Sequence, residues 1–434
     1  MSPSAGSDRG ELALVLHSHM PYVEGFGTWP FGEEWLFEAL AVSYLPLLGV
    51  CGRWADEGEE DVATIGITPV LADQLALPEV GARFLRFMHE TRAEGHRLDI
   101  EGLEKAGMDE WAEALRGSAR DYERAAEQFE SLSSDVLAAF AQLRRQGVIE
   151  LWTSSLTHAV LPLLATEPGI RLQVMGGIAS HHARFAGWSG GFWLPECAFD
   201  EGLDEQLGAA GAHAFCVDQT NYAGELDQLE PIATDGGPTA VPIAWPTISL
   251  VWDPRGYPAD SVYRDYHALT TNGLRPYANS GAVYDAEAGA RRARDHARDF
   301  VDHVIRRLEQ YRADRGRPGL LVVALDTELL GHWWYEGAKW LAAVVEEARE
   351  RKLALTTLPK ALTRHAPRKA MLRSSTWGVG KDLATWDSPK VAEVVWRARR
   401  GELALSAAIS SHERRPHPAA ERAARELVAL QSND

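Results

Sequence analysis

The sequence predicts an α/β fold built on parallel strands, either a closed barrel or an open sheet. Short apolar runs alternate with long helical stretches over most of the chain. Polar residues cluster where several of these runs end, and in parallel α/β barrels that end of the strands carries the chemistry. The clearest run, Leu320–Leu325 (LLVVAL), is typical of a strand buried on both faces.

Seven apolar runs are predicted to be strands, and Gly, Pro or polar residues bound most of them. They cover 11–16, 61–68, 148–155, 191–199, 214–218, 320–325 and 353–357. Residues 78–147 carry apolar residues at three- and four-residue spacing, which predicts a helical insertion. Residues 219–285 are rich in Gly and Pro and are predicted to form a long functional loop region. The barrel would then span 9–365, followed by a small helical domain at 366–434.

Composition and charge exclude several classes of function. The 434 residues include 44 Lys plus Arg against 62 Asp plus Glu, a formal charge of −18. This balance argues against a nucleic-acid partner, because such proteins need a basic face to neutralise phosphates. Three scattered cysteines argue against a disulfide framework or a cysteine metal site. We found no apolar run of about 18 residues and no leader-like N-terminus, so the sequence predicts a cytoplasmic protein without a membrane partner.

Two carboxylate clusters follow predicted strands. Asp326 and Glu328 end the 320–325 strand and are followed closely by His332 and three aromatic residues. Glu196 follows the strand that begins at Gly191. Two carboxylates at the ends of parallel strands suit glycosidic-bond chemistry, which needs one protonated acid and one ionised carboxylate. Solvated acids at strand ends, or a first-turn acid favoured by a helix dipole, are the simpler alternatives.

His17 and His19 follow the first strand and point the same way from an extended backbone. They could form a metal pair, but no third ligand is evident nearby, so a polar wall of a substrate pocket is the preferred interpretation. We therefore predict no metal and no cofactor. The chain also has 15 tryptophans, many of them beside Gly, Pro or acidic residues. Such rings could stack on sugars, although burial in the core is the commoner role of tryptophan.

Several ordered segments carry these polar and aromatic residues. They are 17–22 (HSHMPY), 29–39 (WPFGEEWLFEA), 149–155 (IELWTSS), 193–198 (WLPECA), 326–334 (DTELLGHWW) and 375–378 (STWG). Together they resemble glycoside hydrolase family 57, and most closely the α-1,4-glucan branching enzymes of that family. The segments extend over nearly the whole chain.

The resemblance implies an incomplete (β/α)7 barrel followed by helices, and a retaining mechanism on α-glucan that needs no metal. Glu196 would be the nucleophile and Asp326 the general acid/base, with carboxyl groups about 5–6 Å apart. His17, His19 and His332 would line the donor-sugar subsite. Further substrate-binding residues are expected in the long loop region and in the C-terminal part of the chain. They are Trp252, Arg264, Gly281, Trp377 and Asp434.

The resemblance leaves three functions open. A branching enzyme would cleave an α-1,4 bond and transfer the chain to a 6-hydroxyl, forming glycogen-like glucan. An amylase or 4-α-glucanotransferase of the same family is the second possibility, and a catalytically weak glucan-binding protein is the third. The connection 221–246, with Tyr222 as its only tyrosine, is expected to be shorter than in relatives, and the chain is expected to lack a further C-terminal helix. Both features predict a raised share of hydrolysis.

Overall fold

The computed structural model describes residues 8–27, 32–411 and 418–433, and in these ranges the chain forms ten strands. Most are short, and the two longest, β1 and β8, pair with each other. The strands are β1 (Gly10–Ser18), β2 (Ala63–Ile67), β3 (Ile149–Ser154), β4 (Gly191–Trp193), β5 (Ala214–Val217), β6 (Ile232–Ala233), β7 (Thr239–Pro242), β8 (Gly319–Asp326), β9 (Ala354–Leu355) and β10 (Arg368–Lys369).

Seven of these strands form a continuous parallel sheet in the order β7-β5-β4-β3-β2-β1-β8. The two outer strands approach each other, because Ala244 N, just after β7, donates to Val322 O of β8 at 2.8 Å. The sheet is therefore curled into an incomplete seven-stranded barrel. β6 and β10 extend the sheet beyond β7, and β9 pairs with the start of β1.

The strand sequences explain why this sheet lies at the centre of the protein. All nine residues of β1 are buried, and in β8 only Asp326, the last of its eight residues, is partly accessible. Apolar residues on both faces of a strand require cover from both sides, which helices and loops supply in parallel α/β folds. The carboxyl ends of the parallel strands consequently open onto one rim.

Helices cover the outside of the sheet and form the insertion between β2 and β3. The longest is α11, whose N-cap Asp285 accepts hydrogen bonds from Glu287 N and Ala288 N. The helices are α1 (Glu34–Ala39), α2 (Leu45–Asp56), α3 (Pro69–Leu75), α4 (Pro78–Arg86), α5 (Ala93–Lys105), α6 (Asp109–Ser131), α7 (Val136–Arg145), α8 (Glu167–Arg184), α9 (Leu203–Ala209), α10 (Trp245–Trp252), α11 (Ala286–Arg315), α12 (Gly337–Glu350), α13 (Leu358–Ala361), α14 (Ala392–Ser411) and α15 (Pro418–Leu430).

Helices α1 and α2 are joined by a π-helical turn into one stretch, Glu34–Asp56, of 23 residues. By length and composition this stretch could cross a membrane, so the prediction that the chain holds no such run is wrong. Its most apolar window is 72% buried inside the protein. That degree of cover is the pattern of a core helix.

The structure differs from the sequence prediction in three segments. The seventh barrel strand is β7, inside the predicted loop region 219–285, which also contains β6 and α10. The predicted strand 353–357 is reduced to the two residues of β9, outside the seven-stranded path. In the predicted helical domain, 366–391 forms mainly loops against the barrel, and α-helix begins only at Ala392.

Helix α8 lies so close to β3 that glycine is required at Gly177. A Cβ atom there would lie 1.9 Å from Ser154 O, a backbone atom that cannot move without displacing the strand. We expect Gly177→Ala to lower the free energy of unfolding by about 2–3 kcal/mol, measured by urea denaturation. Gly102→Ala in α5 is the matched control, since its Cβ would meet no atom within 4 Å. It should be neutral or stabilising by up to about 1 kcal/mol. Equal effects of the two substitutions would contradict the close packing.

Candidate active site

A cleft of about 1440 Å³ opens at the carboxyl ends of the parallel strands. It is larger than the roughly 300–1,000 Å³ of typical small-molecule pockets, so it has room for a polymer segment. Its titratable side chains come from several different strand ends, as expected for an α/β barrel. They include His17, His19, His158, Glu196, Asp326, Glu328 and His332. The cleft is also lined by Trp35, Trp245, Trp252, Trp333, Trp377 and Trp386.

Glu196 lies in a tight turn directly after β4, with its backbone in the left-handed region at φ 61°. Cys197 follows in the same region at φ 49°. This conformation costs a non-glycine residue about 1–2 kcal/mol, and such strain tends to concentrate at functional sites. Surrounding contacts must therefore hold the turn.

The segment that carries Trp377 provides those contacts. Trp377 N donates to Glu196 O at 2.9 Å, and its indole Nε1 donates to Glu196 Oε2 at 2.8 Å. Two residues earlier, Ser375 forms a pair of backbone hydrogen bonds with Phe199 at 2.9 and 3.0 Å. Both the backbone and the carboxylate of Glu196 are thus fixed by one segment. The carboxylate accepts a further hydrogen bond from Asn433 Nδ2 at 2.8 Å.

Lys381 connects the Trp377 segment to the end of β5 and to Trp245. Its Nζ lies 2.8 Å from Asp218 Oδ2, just after β5, and donates to Trp377 O at 3.1 Å. The same Nζ lies 3.1 Å from the centre of the Trp245 ring, a cation–π contact. Lys381 is almost fully buried, so its charge depends on the carboxylate of Asp218 for compensation.

Three histidines are stacked at the floor of the cleft. His17 Nε2 lies 2.9 Å from His158 Nε2, and the His158 ring stacks on His19 at 3.8 Å between centroids. The other face of His17 stacks on Trp193 at 4.7 Å. Burial lowers the pKa of His17 and of His158 well below the usual value, and the neighbouring histidines lower both further. His17 and His158 are consequently neutral hydrogen-bonding groups near pH 7.

Asp326 is the last residue of β8 and the register partner of His17 in β1. Two residues later, Glu328 is buried and accepts hydrogen bonds from Tyr44 Oη and from His19 N. Burial, together with the Glu328 carboxylate, raises the pKa of Tyr44. The two carboxylates therefore differ in setting, because Asp326 opens to the cleft and Glu328 is enclosed by donors.

On the opposite wall, His332 lies beside Tyr266, with 3.3 Å between His332 Nε2 and Tyr266 Oη. Burial lowers the pKa of His332 to about 4, so this ring is also neutral over the physiological range. Farther out, Trp252 and Trp333 meet edge to face at 6.3 Å and are each about two-fifths exposed. Partly exposed rings of this kind can stack on apolar sugar faces.

Two of the predicted substrate-binding residues, Arg264 and Gly281, are not among the described residues that line the cleft. Arg264 is 9% exposed behind the cleft wall, where it donates to Ser118 Oγ and to Arg275 O and packs on Tyr335. It is linked to the cleft through Arg275, which does line it. Gly281 lies in an exposed turn at φ 79° and is not among the described residues that line the cleft. Asp434 falls outside the described residues.

Sequence reasoning did not select several residues that the fold brings to the site. His158 follows the end of β3 by four residues, a position that could have identified it. Trp35, Trp333 and Trp386 belong to motifs or aromatic clusters but were not assigned to the cleft. Asn433 is 237 positions from Glu196, and nothing in its neighbourhood signals the contact.

Comparison with known proteins identifies the family. The model of glycosyl hydrolase family 57 matches residues 13–373. The chain belongs to glycosyl hydrolase family 57. It is 30% identical to the 1,4-alpha-glucan branching enzyme TK1436 of Thermococcus kodakarensis, covering 98% of this chain and 69% of that protein. It is 33% identical to the probable 1,4-alpha-glucan branching enzyme Rv3031 of Mycobacterium tuberculosis, covering 91% of this chain and 79% of the relative.

Two solved structures share the fold. The GH57-type branching enzyme of Pyrococcus horikoshii superposes with a TM-score of 0.92 at 30% identity, covering 98% of this chain and 84% of the other. The alpha-amylase AmyC of Thermotoga maritima gives a TM-score of 0.77 at 23% identity, over 97% and 92% of the two chains. The predicted family and the predicted incomplete barrel with a helical C-terminal region are therefore confirmed.

The buried histidines should make stability fall as the pH falls. His332 has a folded-state pKa of about 4 against an ordinary 6.5, so between these values the unfolded chain binds more protons than the folded protein. Its contribution is complete above the unfolded pKa and is lost toward the folded one. We expect the free energy of unfolding to decrease between about pH 7 and pH 4.5, and His332→Asn to reduce that decrease by roughly 2 kcal/mol. Chemical denaturation of the wild-type protein and of His332→Asn at both pH values measures the difference. Equal pH dependence of the free energy of unfolding in the two proteins would contradict a neutral imidazole at His332.

Proposed function

We propose that this chain is a 1,4-alpha-glucan branching enzyme that acts by a retaining mechanism on a linear α-1,4-glucan. The observation that carries the proposal is one cleft with Glu196 and Asp326 at the ends of separate parallel strands, among neutral histidines and tryptophans. Similarity at 30–33% identity to curated branching enzymes over more than nine-tenths of this chain supports it. The product would be a branched, glycogen-like glucan, and cytoplasmic location stays a prediction.

In the first step the Glu196 carboxylate attacks the anomeric carbon while protonated Asp326 gives its proton to the glycosidic oxygen. The glycosidic bond breaks, the released chain leaves, and the transferred chain is bound to Glu196 as an ester. In the second step Asp326 takes the proton of an acceptor 6-hydroxyl, whose oxygen attacks the same carbon and releases Glu196. Two inversions at one carbon retain the α configuration.

The surroundings of the two carboxylates suit these unequal roles. Glu196 accepts hydrogen bonds from Trp377 and Asn433 at its two carboxylate oxygens, and such bonds favour the ionised form. The neutral rings of His17 and His158 add no positive charge that would ionise the acid. They can instead hydrogen-bond sugar hydroxyls in the donor subsite.

The roles can be tested with Glu196→Gln and Asp326→Asn. We expect both to lower the rate of branch formation by about 10³-fold or more, because each removes a group that bonds to the reacting atoms. Formation of α-1,6 linkages on amylose is the measurement. Glu201→Gln is the matched control, because this exposed carboxylate follows the Glu196 turn but is not among the described residues that line the cleft, and it should keep the wild-type rate.

Azide distinguishes the nucleophile from the acid/base. With an activated α-glucosyl fluoride, azide should rescue Glu196→Ala and give the β-configured glycosyl azide, because it attacks from the face that the carboxylate vacated. For Asp326→Ala the glycosyl-enzyme still forms, so azide should give the α product. The same product configuration from both variants, or full activity of Glu196→Gln, would overturn the assignment.

A raised share of hydrolysis is the second part of the proposal. A branching enzyme must keep water from the glycosyl-enzyme until an acceptor arrives, which a closing loop commonly achieves. Tyr222 of the connection after β5 is 54% exposed and is not among the described residues that line the cleft. Its ring therefore does not cover the cleft.

We expect this chain to produce more new reducing ends per new α-1,6 linkage on amylose than the Thermococcus branching enzyme does in the same assay. The physical reason is the access of water to the intermediate. Tyr222→Ala should leave the ratio unchanged, because the ring does not cover the site. A ratio as low as that of the relative would show that another segment excludes water.

A further inference from the structure

Asn433, three residues after α15, contacts the candidate nucleophile. Asn433 Nδ2 lies 2.8 Å from Glu196 Oε1, while Trp377 Nε1 lies 2.8 Å from Oε2. An ionised carboxylate only accepts hydrogen bonds, so the amide must present its NH₂ group to it. The two carboxylate oxygens thus have separate neutral donors, one from each of two distant segments.

We propose that Asn433 is a further residue of the active site, whose amide donates to Glu196 and thereby keeps the nucleophile ionised and correctly oriented. This inference rests on the proposed function, since it takes Glu196 as the nucleophile. It extends that function to a residue near the end of the chain, outside the motifs that identify the family.

The residues just before Asn433 are themselves bound to the rest of the protein. Gln431, 7% exposed, donates through Nε2 to Glu402 Oε2 and accepts from Gln173 Nε2, each at 3.0 Å. Thr157 Oγ1 donates to Val428 O at 2.6 Å. The last turn of α15 is therefore bound to the barrel two residues before Asn433.

Glu402 joins the second C-terminal helix to the same arrangement. It is 1% exposed and accepts from Ala165 N at 3.0 Å and from Thr166 Oγ1 at 2.5 Å. A buried carboxylate is stable only when donors surround it, and these bonds satisfy that requirement. Helices α14 and α15 thus position the segment that ends at Asn433 against the barrel.

The role predicts a specific effect on the pH dependence of the reaction. In a retaining enzyme the acid limb of kcat/KM reports ionisation of the nucleophile. A donor that bonds to the charged form favours it, so loss of the amide should move the acid limb to higher pH. A residue that only stabilises the fold would lower activity without moving this limb.

Other charges around Glu196 do not obscure the effect. The titratable side chains on neighbouring elements include His17, His19, His158, Cys197, Asp218, Asp326, Glu328 and Lys381. Burial lowers the pKa of His17 and His158 and raises the pKa of the Cys197 thiol, so none of these three changes charge in the acid range. His19 and Glu328 are unchanged in every variant, so they do not cause a difference between the variants. Asp218 and Lys381 form an ion pair, and Asp326 is required in its protonated form.

The test compares Asn433→Ala, Asn433→Asp and the adjacent control Ser432→Ala in the full chain, with α-maltosyl fluoride as the probe. We expect the acid limb of kcat/KM to rise by about one pH unit in Asn433→Ala and to stay in place in Ser432→Ala. Asn433→Asp keeps the size of the side chain but sets a like charge against Glu196. It should therefore lose more activity near pH 7 than the alanine variant.

The outcomes separate this inference from the proposed function. Thermal unfolding checks that each variant is folded. If Asn433→Ala is unstable, Asn433→Asp, which conserves the shape of the side chain, provides the test instead. Two results would overturn the role of Asn433. One is an acid limb that does not move in Asn433→Ala, and the other is an Asn433→Asp variant that is more active than Asn433→Ala. If Glu196→Gln is fully active, the assigned nucleophile is wrong. An inactive Glu196→Gln beside a normal Asn433→Ala would remove only the inference.

Discussion

The pairing of β1 with β8 is the interaction on which the remaining structure depends. The two strands are in parallel register from Gly10–Gly319 to His17–Asp326, and nearly every residue of both is buried. A buried backbone must satisfy its hydrogen bonds internally, so a shift of this register would leave buried polar groups at the strand ends without partners. The register therefore fixes a histidine of the cleft floor beside the candidate acid/base.

Apolar strands and local motifs were predictable because their signals are local. The run of β8, the residues after it and the turn at Glu196 could be recognised within a few residues of sequence. Strand β7 was missed because its four residues, TAVP, follow Gly236-Gly237-Pro238 and contain a proline, which is uncommon inside a strand. What makes it a strand is pairing with β5, which only the folded sheet provides.

The cleft walls were less predictable than its floor. Arg264 was expected in the groove, but its guanidinium is buried, where Ser118 and the carbonyl of Arg275 bind it. Charge and type alone cannot distinguish an arginine that binds substrate from one that supports the wall behind it. The distinction depends on contacts between residues far apart in the chain, as with Asn433.

Burial determines the charge states at the site as much as the choice of residues does. Desolvation disfavours the charged form of a group, so enclosed histidines become neutral while a carboxylate with donors can stay ionised. His17, His158 and His332 are of the first kind. Glu196 has a hydrogen-bond donor at each carboxylate oxygen, which is the arrangement that favours the ionised form. Neutral histidines beside the partly accessible carboxylate of Asp326 leave the charge of the cleft walls unchanged when a proton moves to or from that carboxylate.

The C-terminal part of the chain is consequently more than an appendage to the barrel. A boundary at residue 366 reflects a change in composition, yet Trp377 and Asn433 beyond it supply the donors to the Glu196 carboxylate. The left-handed turn at Glu196 is unfavourable by itself and is held in part by the backbone of Trp377. The candidate nucleophile is therefore held in this position by both parts of the chain, so the proposed chemistry would require their contact.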